Sequence, residues 1–214
     1  MRAPIGHFGR PSKVLCVGRN YAAHAKEMGS DIPKEPLLFL KPSTSLIESG
    51  GAIVLPKQST RVEYEAELAI VIGKRAKNVS RKDALDHVFG YTCACDVTAR
   101  DLQRSDGQWS RAKGFDTFCP LGPHIETELD PKDLLIVCSV NGETKQDART
   151  SGMIFDVPTL IEFMSASMTL EVGDVLLTGT PEGVGPIAPG DRVEVEIDGI
   201  GTLEALVERE ARES

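Results

Sequence analysis

The chain has 214 residues, of which 41% are hydrophobic, and a formal net charge of −8. That is enough apolar chain for one good-sized globular domain, and 20 glycines with 13 prolines point to a turn-rich one. The acidic balance, with no basic block to offset it, excludes nucleic acid as an expected partner. The N-terminus, MRAPIGHFGRPSKVLCVG, lacks the long apolar core of a signal peptide. No apolar run approaches the ~20 residues of a membrane span. Five cysteines, an odd number without Cys-x-x-Cys spacing, fit a reducing compartment better than a disulfide framework. The expectation is a cytoplasmic protein with no membrane partner.

In chain order, SKVLCVG reads as a short apolar strand closed by Gly18. NYAAHAKEMG follows as a short helix, with Asn20 as N-cap and Gly29 as stop. TRVEYEAELAIVIGK, residues 60–74, reads as a strand entering the core. Side chains alternate across a strand, so Glu63, Glu65 and Glu67 share a face with Ala69 and Val71, while Tyr64, Ala66, Leu68, Ile70 and Ile72 share the other. SRKDALDHVFGY has Ser80 and Asp83 in capping spacing, which predicts a helix with Leu85, Val88 and Phe89 on its apolar face. In YTCACD, Cys93 and Cys95 share a strand face and read as buried structural thiols, because ligands for a zinc site are lacking nearby.

The Asn-Gly of VNGE, Val140 to Glu143, is a strong hairpin signal. FDVPTLIEFMSASMTL predicts a third helix, with Asp156 and Pro158 at its start. LEVGDVLLTG and PGDRVEVEIDGIGTLEALVE read as strands and turns. Between them, GTPEGVGP is glycine-rich but runs into Pro186 instead of opening a helix, and it lacks Gly-Lys-Ser. Both a dinucleotide-binding fingerprint and a P-loop are excluded there. So few helices among so many strands predict an α+β domain, not a doubly wound sheet.

The glutamates raise a physical problem. Like charges one strand period apart, at the entrance to a core, need a positive partner. A hard divalent cation is the simplest one, since Mg²⁺ and Mn²⁺ prefer carboxylate oxygens. Asp96 ends the apolar run CAC, where a strand end can present a third acid, and Asp101 lies about a helical turn beyond. From the pattern alone, a metal site and a charged strand edge stand level. His24 and Glu27, three apart on the first helix, lie within reach of one another, and a carboxylate can orient an imidazole as a general base. Taken singly, that pair reads as a solvated helix face. Lys113, among glycine and aromatic residues, has the setting of an anion-binding or catalytic lysine.

Taken together, CVGRNYAAHAKEMG, PLLFLKPSTS, EYEAELAIVIGK, GYTCACDVTARDLQ, AKGFDTFCPLGP, MIFDVP and LLTGTPEGVGP resemble, in this order, the fumarylacetoacetate hydrolase family. The resemblance spans Lys13 to Val207 and is nearest the small single-domain branch of acylpyruvate hydrolases and oxaloacetate decarboxylases. It implies an N-terminal segment 1–12, a catalytic domain 13–208 and a C-terminal tail 209–214. The implied fold is a mixed β-sandwich roll and the implied assembly a homodimer.

The same resemblance implies Glu65, Glu67 and Asp96 as ligands of Mg²⁺ or Mn²⁺, with Glu63 a flanking residue. It implies His24, Glu27 and Lys113 as the catalytic set, and Arg100, Gln103 and Thr180 as substrate contacts. Tyr64 departs from the family, in which histidine often precedes the first ligand glutamate. The implied activity is C–C bond hydrolysis of 2,4-dioxo acids of acylpyruvate or fumarylpyruvate type, with oxaloacetate decarboxylase or tautomerase activity at the same site. A 2-hydroxy-dienoate isomerase or decarboxylase of aromatic catabolism is the alternative.

Overall fold

Period-2 alternation along most of the chain resolves into sheets that each bury one face. The structure, a computed structural model, describes residues 1–211. Its strands are β1 Arg2–Ala3, β2 Val14–Gly18, β3 Leu37–Lys41, β4 Leu46–Glu48, β5 Ala52–Leu55, β6 Val62–Tyr64, β7 Ala66–Ile72 and β8 Val88–Cys95. After these come β9 Thr98–Ala99, β10 Cys119–Glu126, β11 Leu135–Val140, β12 Glu143–Arg149, β13 Val175–Leu177, β14 Gly185–Pro186, β15 Arg192–Ile197 and β16 Gly201–Arg209. The α-helices are short: α1 Ala22–Glu27, α2 Arg100–Asp106, α3 Ser110–Gly114 and α4 Val157–Ser167. None is long and apolar enough to cross a membrane.

An eight-stranded mixed sheet runs β1-β10-β8-β7-β13-β2-β3, with β4 also on β10. A five-stranded sheet, β12-β11-β15-β16-β5, packs against β7, β8 and β10, and a small sheet joins β14, β6 and β9. This is the expected strand-rich α+β architecture.

The two faces read from residues 60–74 hold. Tyr64, Ala66, Leu68, Ile70 and Ile72 all point into the core between the sheets, with Ile136, Val195 and Leu203 from the smaller one. Ala69 points the other way, with Val14, Cys16 and Val175. The segment is nevertheless not one strand. Pairing changes from β9 and β14 on β6 to β8 and β13 on β7, and Glu65 sits at the break. The Asn141-Gly142 hairpin forms as expected, with φ of 54° and 78° closing β11 onto β12. Helix α4 is capped by Asp156, which accepts from the Thr159 amide. All five cysteines are buried and free.

Two local expectations are corrected. Residues 81–87 form a 3-10 turn and not an α-helix, and Val88 and Phe89 begin β8. The β-branched and aromatic pair gains more from the sheet than from a one-sided helix, and Ser80 Oγ donates to the Asp83 carboxylate in place of a cap bond. Asn20 does not cap α1. Its buried amide donates to the carbonyls of Phe155 and Thr178 and accepts from the Phe155 amide, so Tyr21 takes the cap position. Three tertiary bonds outweigh one cap bond.

In the N-terminal segment, β1 pairs with Ile125 and Glu126 of β10. The expected C-terminal tail, 209–214, starts on the last residue of β16, and residues 212–214 lie outside the described residues.

Asn20→Ala strands the Phe155 and Thr178 carbonyls, so it should cost roughly 1–3 kcal/mol. A lost cap would cost about 1 kcal/mol and leave tertiary structure intact. Urea unfolding measures the difference, and a loss near a few tenths would remove Asn20 from the framework of the site.

Candidate metal centre and active site

The antiparallel register of β7 with β8 sets Ala66 opposite Cys95, and the Asp96 amide donates to the Glu65 carbonyl at 2.8 Å. Residues just outside two paired strand ends are thereby placed side by side. Glu65, Glu67 and Asp96 each offer an oxygen within 4.8 Å of the others, and all three are buried.

Buried cations surround them. Lys113, carried on α3, donates to Glu65 Oε2 at 2.8 Å, Asp96 Oδ2 at 2.5 Å and Thr98 Oγ1 at 2.8 Å. Arg100, at the start of α2, donates to Glu65 Oε1 at 2.5 Å, Glu63 Oε2 at 2.6 Å and Gln103 Oε1 at 2.5 Å. Lys41, at the end of β3, donates to Asp96 Oδ1 at 2.6 Å. Burial pushes the Glu65 carboxyl up, but Lys113 and Arg100 outweigh it and hold that acid well below the usual range. For Lys113, burial pulls down and is outweighed by Asp96 and Glu65, so its ammonium is held more firmly than in water.

Glu67 is different. Its one hydrogen-bond partner among the described residues is the Gly179 amide, at 2.5 Å. Burial first, then Asp96 and Glu65, push its pKa well above the usual carboxylate range, so the carboxyl holds its proton more tightly. Four buried carboxylates (Glu63, Glu65, Glu67, Asp96) thus face three buried cations, and the uncompensated charge falls on Glu67. Three convergent carboxylates short of positive charge are the donor set a hard divalent cation takes. The residues present fit such an ion.

The remaining expected residues lie around this centre. His24 and Glu27 meet on α1, with Nδ1 3.2 Å from Oε2. The Gly183 amide donates to Glu27 at 3.1 Å, which fixes the carboxylate behind the ring. Thr180 Oγ1 accepts from Gln146 Nε2 at 2.9 Å, and Gln146 Oε1 accepts from the Ala66 amide. All nine residues expected at a metal, catalytic or substrate position line one cavity of about 290 Å³. Asp101 is not among them and accepts instead from Ser59 and Thr60. Tyr64 is held in the core, donating to the Gly183 carbonyl.

Sequence reasoning missed Lys41, Gln146 and the part played by Glu63. Glu63 is buried and bridges Arg61 to Arg100, so it anchors the guanidinium that grips Glu65. The signal for Lys41 was a lysine closing the apolar run LLFL. Gln146 had none beyond an inward position on β12.

A β-roll carrying a carboxylate trio and a His–Glu pair in one cavity defines the class of protein. The family model for the fumarylacetoacetate (FAA) hydrolase C-terminal domain matches residues 13–208, and the chain belongs to that family. It is 46% identical over 211 residues to a protein of Arabidopsis thaliana named mitochondrial oxaloacetate tautomerase FAHD1, covering 96% of this chain and 95% of that one. The crystal structure of 2-hydroxyhepta-2,4-diene-1,7-dioate isomerase from Mycobacterium marinum is similar at a TM-score of 0.90 and 51% identity, over 99% of this chain and 78% of that one. Fumarylpyruvate hydrolase from Pseudomonas aeruginosa, solved with Mn²⁺ and pyruvate, is similar at a TM-score of 0.86 and 38% identity. That match covers 92% of this chain and 90% of the other.

Mg²⁺ or Mn²⁺ at about a hundred times its dissociation constant should stabilise the protein by about 2.7 kcal/mol. For a chain of this size that is a rise in Tm of roughly 5–10 °C. Glu67→Gln should abolish the rise while leaving the chelated protein's Tm little changed, because it removes the one uncompensated charge. An unchanged ion response in this variant would remove Glu67 from the ligand set.

Proposed function

We propose that the chain is a Mg²⁺- or Mn²⁺-dependent enzyme that hydrolyses the C–C bond of 2,4-dioxo acids of acylpyruvate or fumarylpyruvate type. In this reading it also acts on oxaloacetate as decarboxylase or tautomerase. The observation that carries the proposal is a His–Glu pair, held from behind by the Gly183 amide, in the same cavity as the carboxylate trio. An ion held by Glu65, Glu67 and Asp96 would supply positive charge to an enolate developing on the pyruvate part of the substrate.

The chain's own residues do the rest. Glu27 engages Nδ1 of His24 and leaves Nε2 to take a proton from water. The water oxygen bonds to the distal carbonyl carbon and the C–C bond breaks. Its electron pair goes to the pyruvate enolate, which is protonated at the methylene to give pyruvate. Lys113, held charged by Asp96 and Glu65, adds positive charge beside the forming anions, and the proton that His24 took from water is returned to that carbon. Decarboxylation of oxaloacetate passes through the same enolate with CO₂ as the leaving group and needs no attacking water.

A second reading, isomerisation of a 2-hydroxy-dienoate, is supported by the Mycobacterium marinum isomerase, and there His24 would carry the proton between carbons. Tautomerisation of oxaloacetate, the activity named for the Arabidopsis thaliana relative, needs the same proton carrier. The working unit in either case is a homodimer, as the family resemblance implies.

The test compares acetylpyruvate, fumarylpyruvate, oxaloacetate and a hydroxy-dienoate with the metal-loaded enzyme. His24→Ala should lower acylpyruvate hydrolysis by about 10²–10⁴, the usual contribution of a general base. Oxaloacetate decarboxylation should fall much less. Equal losses in kcat/KM for the two substrates would assign the pair to proton transfer at carbon and favour the isomerase reading.

A further inference from the structure

β12 is the outer strand of the five-stranded sheet, and Gln146 is its one buried side chain, 1% exposed. The β11–β12 register shifts between Cys138 and Ser139, which leaves Lys145 as an extra residue on β12. Such a bulge re-aims the side chains beside it. Gln146 reaches out of its own sheet, to the break between β6 and β7 on one side and to the loop 179–183 on the other. The chemistry above gives it no part.

Its amide can stand in one orientation only. Oε1 accepts from the Ala66 amide at 2.9 Å, and Nε2 donates to the Pro181 carbonyl at 2.8 Å. A backbone amide only donates and a carbonyl only accepts, so the oxygen and nitrogen of Gln146 cannot be exchanged. Nε2 also lies 2.9 Å from Thr180 Oγ1 and must donate to it. The loop leaves Thr180 little choice of position. Gly183 turns at φ 93°, where an added Cβ would run into the Lys145 carbonyl, and a Cβ on Gly179 would meet that of Asn20 at 2.7 Å. The direction of the Thr180 hydroxyl follows. Its oxygen accepts from Gln146, so its proton points elsewhere, and among the described residues it has no acceptor. Thr180 is 3% exposed and lines the cavity of the carboxylate trio, so that proton is left for the cavity.

We infer that Gln146 is a positioning residue, which fixes Thr180 as a hydrogen-bond donor to the cavity and so favours a substrate group that only accepts there, a carboxylate. This rests on the 2-oxo-acid reading above, in which Thr180 meets substrate, and adds which way its hydroxyl is turned and what turns it. A hydroxyl with no fixed partner donates or accepts, and serves a neutral amide as well as an anion. Turned by Gln146, it offers its proton, and a hydrogen bond to an ionised acceptor is roughly twice as strong as one to a neutral group. Gln146 touches no substrate in this arrangement. It acts through Thr180.

Calorimetry on the Mn²⁺-loaded protein tests this without relying on turnover, with pyruvate against its neutral counterpart pyruvamide. The metal itself favours the carboxylate, so the readout is the change in that preference. Thr180→Val should lower it about tenfold, as one charged hydrogen bond supplies, and Thr180→Ser should keep it. Gln146→Glu still accepts from the Ala66 amide but takes the Thr180 proton. Gln146→Leu adds no charge and leaves the Pro181 and Glu182 carbonyls to compete for that proton. Each change at Gln146 should lower the preference with Thr180 present and lower it little further in Thr180→Val. The two are independent, so either one that folds decides. Equal losses with and without the hydroxyl would mean that Gln146 acts through loop shape or charge alone and would overturn the inference, as would an unchanged preference in Thr180→Val. A wild type that does not bind pyruvate would overturn the 2-oxo-acid reading itself, and this inference with it.

Discussion

The site depends on one electrostatic constraint: four carboxylates buried together must be matched by positive charge. Lys41, Lys113 and Arg100 supply three charges, each through hydrogen bonds of 2.5–2.8 Å to the acids. Removing one partner of a buried pair leaves an uncompensated charge and costs roughly 3–5 kcal/mol. The cations therefore belong to the fold as much as to the chemistry. Glu67 alone has no cation. A divalent ion held there, as proposed, would offset that charge, and metal affinity would then be coupled to the stability of the centre.

That constraint explains why the carboxylates sit at a discontinuity. In the middle of a strand, Glu65 would lie between flanking strands and could meet few side chains. At the break between β6 and β7 it faces α2 and α3, which bring Arg100 and Lys113. The break is held by side chains as well as by sheet pairing. Gln146 accepts from the Ala66 amide and donates to Thr180 and to the Pro181 carbonyl. Asn20 ties the start of α1 to the 154–155 and 178 backbones. The amides of Gly179 and Gly183, in one loop, then hold Glu67 and Glu27 respectively. One segment, 179–183, thus sets the position of one acid of the buried trio and of the acid behind His24.

Such an arrangement suits several reactions of one substrate class. Hydrolysis, decarboxylation and tautomerisation of 2-oxo acids all pass through an enolate that needs charge at one place and a proton carrier nearby. What separates them is whether water reaches the distal carbon and what the far end of the substrate is. In the proposed function the first falls to His24, which lines the cavity with Glu27 behind it.

The sequence by itself determined the strand-rich α+β class, the two faces of residues 64–72, the Asn141-Gly142 hairpin and helix α4, because period-2 patterning, turn chemistry and a proline-led cap are local signals. It also carried the nine cavity residues, though only as an ordered set of motifs resembling a family. Read singly, the acids stood level with a charged strand edge, the His–Glu pair read as a solvated helix face, and Lys113 was a weak signal. Only the tertiary structure decided the rest. Asn20 could not be told from a cap, since its three partners lie 135 and 158 residues away. Residues 81–87 carried capping spacing, yet Val88 and Phe89 joined a sheet whose other strands are remote in sequence. Lys41 drew no reading from the sequence and Glu63 read as a flanking acid, until Asp96 and Arg100 were brought against them. Charge compensation in a core is a property of groups that meet in space, and the spacing of residues along the chain does not record it.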